Sequence, residues 1–180
     1  CTGSNFADSL SGSDTCMPIL MVTNASGTLS GNQKAFLENL GASFCIVGGE
    51  GAVSRGLEEA LRQYGATDRL AGADRFATSV LVANTFFDAP ANVVLAYAGN
   101  FPDGLCGGPL AYLLNAPLIL TDNYDPREAD EYVVGTNRGF VVGGPSLISD
   151  VATRAIFDLG SGTGVPSYTV TFESNGGSAV

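Results

Sequence analysis

The sequence contains no histidine and no tryptophan, and its eight basic residues comprise a single lysine, Lys34, and seven arginines. Without histidine, Ser-His-Asp and Cys-His nucleophile arrangements and every His-ligated metal site are excluded within these 180 residues. The 18 acids outnumber the 8 bases and give a formal charge of −10. Such a surface repels phosphate backbones at long range, so no nucleic-acid partner is expected. Charged residues make up only 14% against 45% hydrophobic ones, which sets the chain apart from disordered proteins. No apolar run approaches the roughly 18 residues of a membrane span. No C-x-x-C pair exists, so no structural zinc and no other metal or cofactor is expected. The chain opens Cys1-Thr2-Gly3 and ends in a Thr/Val-rich run. It reads as a segment of something longer, so missing targeting signals say nothing about location.

What is present in excess is glycine, 24 residues, implying many tight turns. The length suits one domain or two small ones. Cys45, in the apolar run Phe44-Cys45-Ile46-Val47, and Cys106 are expected to be small buried core residues. Cys1 with Cys16 is the most local candidate disulfide, a pairing that spacing alone leaves open.

The chain repeats itself. Gly3-Ser4-Asn5-Phe6-Ala7-Asp8-Ser9-Leu10 returns as Ala98-Gly99-Asn100-Phe101-Pro102-Asp103-Gly104-Leu105. Pro18-Ile19-Leu20-Met21 returns as Pro117-Leu118-Ile119-Leu120, and Phe44-Cys45-Ile46-Val47-Gly48-Gly49 as Gly139-Phe140-Val141-Val142-Gly143-Gly144. Asp8 and Asp103, like Gly48 and Gly143, stand 95 positions apart, whereas Pro18 and Pro117 stand 99 apart. Three motifs in one order at a nearly constant offset indicate duplication, with the first copy about one helical turn shorter between its first two motifs. The section Arg69–Ser79 has no counterpart in the first copy. Residues 1–67 are therefore read as the rear of one module and 68–160 as a complete one.

Within each copy, continuous apolar runs (Val93–Ala96, Leu118–Leu120, Phe140–Val142) alternate with helical patterns. Strands covered on both faces read this way, so an α/β fold of tandem modules with mainly parallel sheets flanked by helices is expected. Helices are expected over 74–87, with Phe76, Val80, Ala83 and Phe87 on one stripe, and over 101–115, 126–134 and 149–159. Ser149 suits an N-cap. Residues 161–167 form a Gly/Ser linker, and 168–180 open a β-rich unit with an Asn175-Gly176-Gly177 turn.

Asn-Phe-x-Asp occurs twice, at Asn5/Asp8 and Asn100/Asp103. Asn can cap a helix whose third residue, Asp, reaches back to it. Equally, these loops fall at the carboxyl ends of strands, where open α/β sheets bind ligands, and both side chains can hydrogen-bond sugar hydroxyls. Asp103 has no second acid in its own loop, as a glycosidase would require. Gly48–Ser54 is better explained as a tight strand-to-helix turn than as a dinucleotide site, because no complete G-x-G-x-x-G is present. Asp122, Asp125, Glu128, Asp130 and Glu131 form an acidic patch that does not fit an EF-hand. Arg69, Asp74 and Arg75 around one glycine turn could hold a module interface or an anionic ligand.

The run Arg69–Ser79, then Asn100-Phe101-Pro102-Asp103-Gly104-Leu105, Ala116-Pro117-Leu118-Ile119-Leu120-Thr121 and Val142-Gly143-Gly144 closely resembles the cell-wall-binding repeat of type two. The resemblance covers about 1–159. Residues 168–178 resemble the start of a Listeria–Bacteroides (internalin B-type) repeat. The resemblance implies a secreted surface protein of Gram-positive bacteria. It implies repeats set in threes about a pseudo-threefold axis, anchoring it non-covalently to a cell-wall polysaccharide or secondary wall polymer. Arg75, Thr78, Asn100, Pro102 and Asp103 match the family's motif positions, as do Asn5 and Asp8 in the first copy. With Arg69 these give the expected ligand-binding set Asn5, Asp8, Arg69, Arg75, Thr78, Asn100 and Asp103, with no catalytic residue. Departures are Gly104 and Cys106, where the family favours Ala, and Ala7, where it has Pro. An anionic polymer would need a local Arg cluster (Arg62, Arg69, Arg75) or a bridging cation. The expected function is non-catalytic wall anchoring. The alternatives are a spacer or surface-layer element and, third, a glycan-acting enzyme using Asp103.

Overall fold

The computed structural model describes residues 1–24, 27–122, 129, 132 and 136–157. The linker, the β-rich opening, most of the 126–134 helix and the acidic patch beyond Asp122 lie outside the described residues. In chain order the elements are α1 (Ala7–Ser11), a 3-10 turn (Ser13–Thr15), α2 (Gly31–Leu37), β1 (Phe44–Val47), α3 (Arg55–Arg62) and β2 (Thr67–Leu70). They continue with α4 (Arg75–Phe86), β3 (Asn92–Tyr97), α5 (Pro102–Leu113), β4 (Leu118–Thr121), β5 (Arg138–Val142) and α6 (Asp150–Ile156).

Among the described residues every strand pairing is parallel. β1 pairs with β2 in register Phe44 to Thr67, and β3 lies between β4 and β5 in a three-stranded sheet. Val93 through Ala96 of β3 are fully buried, as the unbroken apolar run requires of a strand covered on both faces. The α/β class with mainly parallel sheets is therefore what the sequence folds into.

The two copies share their geometry bond by bond. Thr2 bridges Val22 in parallel as Tyr97 pairs with Thr121. Gly3 N–H donates to Val22 O at 2.7 Å, and Ala98 N–H to Thr121 O at 2.8 Å. The residue two before each motif proline adopts the left-handed region, Cys16 at φ 57° and Asn115 at φ 47°. Ser54 and Ser149 each cap the following helix by accepting from the amide three residues on, Leu57 and Ala152. Gly48 and Gly143 take φ of +114° and +121°. The four-residue difference in spacing falls in one place. α5 runs unbroken for 12 residues, whereas its counterpart is the 5-residue α1 followed by the 3-10 turn.

The copies also share a core. Ala7 and Leu10 of α1 pack with Val94, Ala96, Ala111, Leu118, Leu120 and Val142 of the second copy. What permits this is the row of small residues on α5. A Cβ at Gly104 would stand 2.7 Å from Leu10 Cδ1, and one at Gly107 would stand 2.9 Å from Leu118 Cδ1. A second cluster lies within the first copy (Val22, Leu29, Leu37, Ile46, Val53, Leu57, Leu61). A third covers the far face of β3 with Ala83, Ile119, Ala129 and Ile156.

Three expectations are corrected. Cys45 and Cys106 are exposed, and all four cysteines are free thiols. Strand alternation turns Ile46 into the core and Cys45 to the opposite face, while the buried glycines of α5 leave Cys106 on the outer side. Of the expected α4 stripe, Ala83 is buried and Phe76 and Val80 are partly buried against the cores, but the fully buried positions are Thr78, Ser79, Val82 and Ala83, because Thr78 and Ser79 turn inward to satisfy backbone amides of Gly72 and Leu120. Asn100 is not the N-cap of α5. That position is Phe101, and no side-chain cap bond forms there.

Candidate functional site

The carboxyl ends of the parallel strands lead into the repeated turns. In each copy the aspartate of Asn-Phe-x-Asp lies against the positive-φ glycine of the strand-to-helix turn. A Cβ at Gly143 would stand 2.9 Å from Asp103 Oδ2, and one at Gly48 would overlap Asp8 Oδ2. Glycine is required there twice over, by φ and by the neighbouring carboxylate. Burial raises the Asp8 carboxyl above its ordinary value, opposed by Arg75.

The two turns are brought together by their phenylalanines. The Phe6 and Phe101 rings lie 5.9 Å apart, tilted by 54°. Arg75 stands over Phe6 at 5.5 Å and donates from Nη1 to Ala98 O at 2.5 Å. A residue from the front of the second copy therefore clasps the motif of the first. Asn5 Oδ1 accepts from Ala7 N–H at 3.1 Å, and Asn100 is exposed at the start of its turn.

Arg69 and Thr78 sit deeper. Arg69 donates to Gly48 O at 2.6 Å, to Val53 O at 2.9 Å and to Glu58 Oε2 at 2.7 Å, so its guanidinium braces the 48–53 turn against α3. This hydrogen bond holds the Glu58 carboxyl below its ordinary value. Thr78 is buried. Its hydroxyl accepts from Gly72 N–H at 3.0 Å and donates to Asp74 O at 2.7 Å. Of the expected residues, Asn5, Asp8, Arg75, Asn100 and Asp103 line the turns, Arg69 supports one from behind, and Thr78 lies beneath. Phe6, Phe101 and Glu58 were not anticipated. The first two could have been found from their recurrence inside the duplicated motif, whereas nothing local marks Glu58 as the partner of Arg69.

Among the described residues no group of three or more acidic or cysteine side chains could hold a metal ion, and no helix is long and apolar enough to cross a membrane.

Residues 69–153 match the family model described as Cell wall binding domain 2 (CWB2). Over those residues the match indicates a cell-wall-binding module, and such a domain implies association with the cell wall or surface. The chain is 26% identical over 96 residues to the N-acetylmuramoyl-L-alanine amidase LytC of Bacillus subtilis (strain 168), covering 51% of this chain and 19% of that protein. It is 44% identical over 55 residues to the Amidase enhancer of the same organism, covering 31% of this chain and 8% of the relative. Among solved structures, Cwp8 from Clostridium difficile superposes with a TM-score of 0.75 at 26% identity, over 87% of this chain and 28% of that one. Cwp6 from Clostridium difficile, at 20% identity and a TM-score of 0.69 over 86% of this chain and 26% of that one, shares the fold. The chain thus spans a fifth or less of the curated relatives it matches.

Proposed function

We propose that the chain is part of a secreted surface protein of a Gram-positive bacterium, which it anchors non-covalently to a cell-wall polysaccharide or secondary wall polymer through the paired Asn-Phe-x-Asp turns. The observation that carries this reading is the side-by-side placement of the two Asn-Phe-x-Asp turns, joined by Phe6 and Phe101 and edged by Asn100 and Arg75. An exposed aromatic face beside amide, carboxylate and guanidinium groups suits a pyranose ring with its hydroxyls. Two repeated turns on one frame raise avidity without a deep pocket. Arg75 is the positive group through which an anionic polymer would be held. Residues 168–180 are read as the opening of a β-rich internalin B-type surface repeat. Residues 1–67 are read as the rear of one module and 68–160 as a complete one.

Further copies of the module complete the arrangement, about a pseudo-threefold axis. Leu10 of α1 is 3% exposed beneath the second copy, while its counterpart Leu105 on α5 is 59% exposed. In reverse, Met17, Ile19 and Met21 are 51%, 40% and 49% exposed, while their counterparts Ala116, Leu118 and Leu120 are buried under the first copy. Each copy therefore offers one face of a head-to-tail contact and leaves the other for a neighbour.

Co-sedimentation with purified walls, with and without calcium, tests the anchoring. The chain is expected to be retained and Asn100→Ala to reduce retention. No retention of the chain in either condition overturns the proposal. The seat of Arg75 on Phe6 favours a second reading, a purely structural joint. Under it, Arg75→Glu unfolds or separates the copies; under the first, Arg75→Glu folds and loses the wall.

A further inference from the structure

The edge strand β4 turns alternate N–H groups away from β3, and an uncovered edge is a liability. Two side chains cover it. Ser79 Oγ accepts from Leu120 N–H at 3.0 Å, and Asp14 Oδ2 accepts from Leu118 N–H at 2.6 Å. Ser79 belongs to the second copy, but Asp14 comes from the 3-10 turn of the first. Asp14 is 2% exposed, and its other oxygen, Oδ1, has no hydrogen-bond partner. An ionised carboxylate needs several donors to offset its lost hydration, whereas a neutral carboxyl tolerates such a site.

Among the described residues no cation faces Asp14 from the elements around it. The 3-10 turn packs on α5 and α1. The ionisable groups of α5 are Asp103, beside Gly143, Cys106, on the outer side, and Tyr112, which meets Cys16. That of α1 is Asp8, which faces Arg75. β4 carries none. Asp14 acts on Tyr132, whose phenol is pushed up to about 12 by burial and then by the Asp14 charge. Burial pushes the Asp14 carboxyl itself up to about 7, outweighing the opposing pull of the backbone N–H groups of Leu118, Asp14 and Thr15. Aligned through the left-handed Cys16 and Asn115, the counterpart of Asp14 is Leu113, so the device is confined to this junction.

We propose that Asp14 is a proton-operated latch between the two copies: uptake of one proton seats the first copy's 3-10 turn on the edge of β4, and its loss loosens that junction. The latch is independent of what the turns bind. Because the native carboxyl binds its proton more tightly than the unfolded one, its contribution to stability is full below pH about 4 and is lost as pH rises through about 7. Carbon-13 carboxyl titration of the chain reads Asp14 directly, and amide exchange at Leu118, referenced to Leu120, reads the junction. A midpoint near 7 is expected, with Leu118 protection falling relative to Leu120 by about tenfold per pH unit from about 4 to about 7 and levelling off above it. Asp14→Asn keeps an acceptor for Leu118 N–H, and in it that relative fall should vanish. A wild-type midpoint near 4 overturns the proposal, as does an Asp14→Asn chain that keeps the pH dependence. Should Asp14→Asn not fold, the wild-type titration decides alone.

Discussion

Leu10 and Leu105 occupy the same position in two copies of one motif, on helices that begin alike, yet one is core and the other surface. The exchange is reversed at Met17, Ile19 and Met21, whose counterparts in β4 are buried. Local structure in this chain is set by the repeated residues, because pairing register, left-handed turns and serine caps agree between copies. Burial is set by which neighbour lies against the copy. A duplicated sequence therefore encodes a pair of complementary faces rather than two independent domains, and the residues that look redundant in the sequence do unequal work.

The largest test of that inequality is a pair of truncations. Leu10→Ala is expected to destabilise the chain by about 2–5 kcal/mol, because it opens a cavity in the shared core, while Leu105→Ala should stay within about 0.5 kcal/mol. Urea unfolding of both variants measures it, and equal losses would break the comparison. Next, Ser79→Ala strands the Leu120 N–H in the core. It should cost about 1–3 kcal/mol, read from the same unfolding curves. Gly48→Ala and Gly143→Ala each force a side chain into a positive φ beside a carboxylate. More than about 1 kcal/mol should be lost at both positions, measured by thermal melting, which sharpens the equivalence of the turns. The smallest effect belongs to the caps. Ser54→Ala and Ser149→Ala should each lose about 1 kcal/mol, and a marked difference between them would mean that the copies are less alike than their backbones.

Much of this was legible in the sequence because it depends on short-range pattern. Unbroken apolar runs announced buried parallel strands, and the constant offset announced the duplication. Serine before a helical pattern announced its cap. What was not legible depends on contact at a distance. Cys45 and Cys106 read as core because their neighbours are apolar, but only the sheet and the glycine row of α5 decide which way each points. The inward turn of Thr78 and Ser79 answers to backbone amides on other segments. Arg69 and Arg75, alike as charges beside one turn, divide between bracing a loop and clasping the other copy only once the chain has folded.

The most direct test of wall recognition by the strand-tip turns is an amide chemical-shift map of the chain titrated with solubilised wall polysaccharide. Shifts confined to residues 3–8, 48–54, 98–103 and 143–149 are expected, with Phe6 and Phe101 moving together. Saturable shifts gathered instead on the outer faces of α3 and α6, with those turns silent, would contradict it.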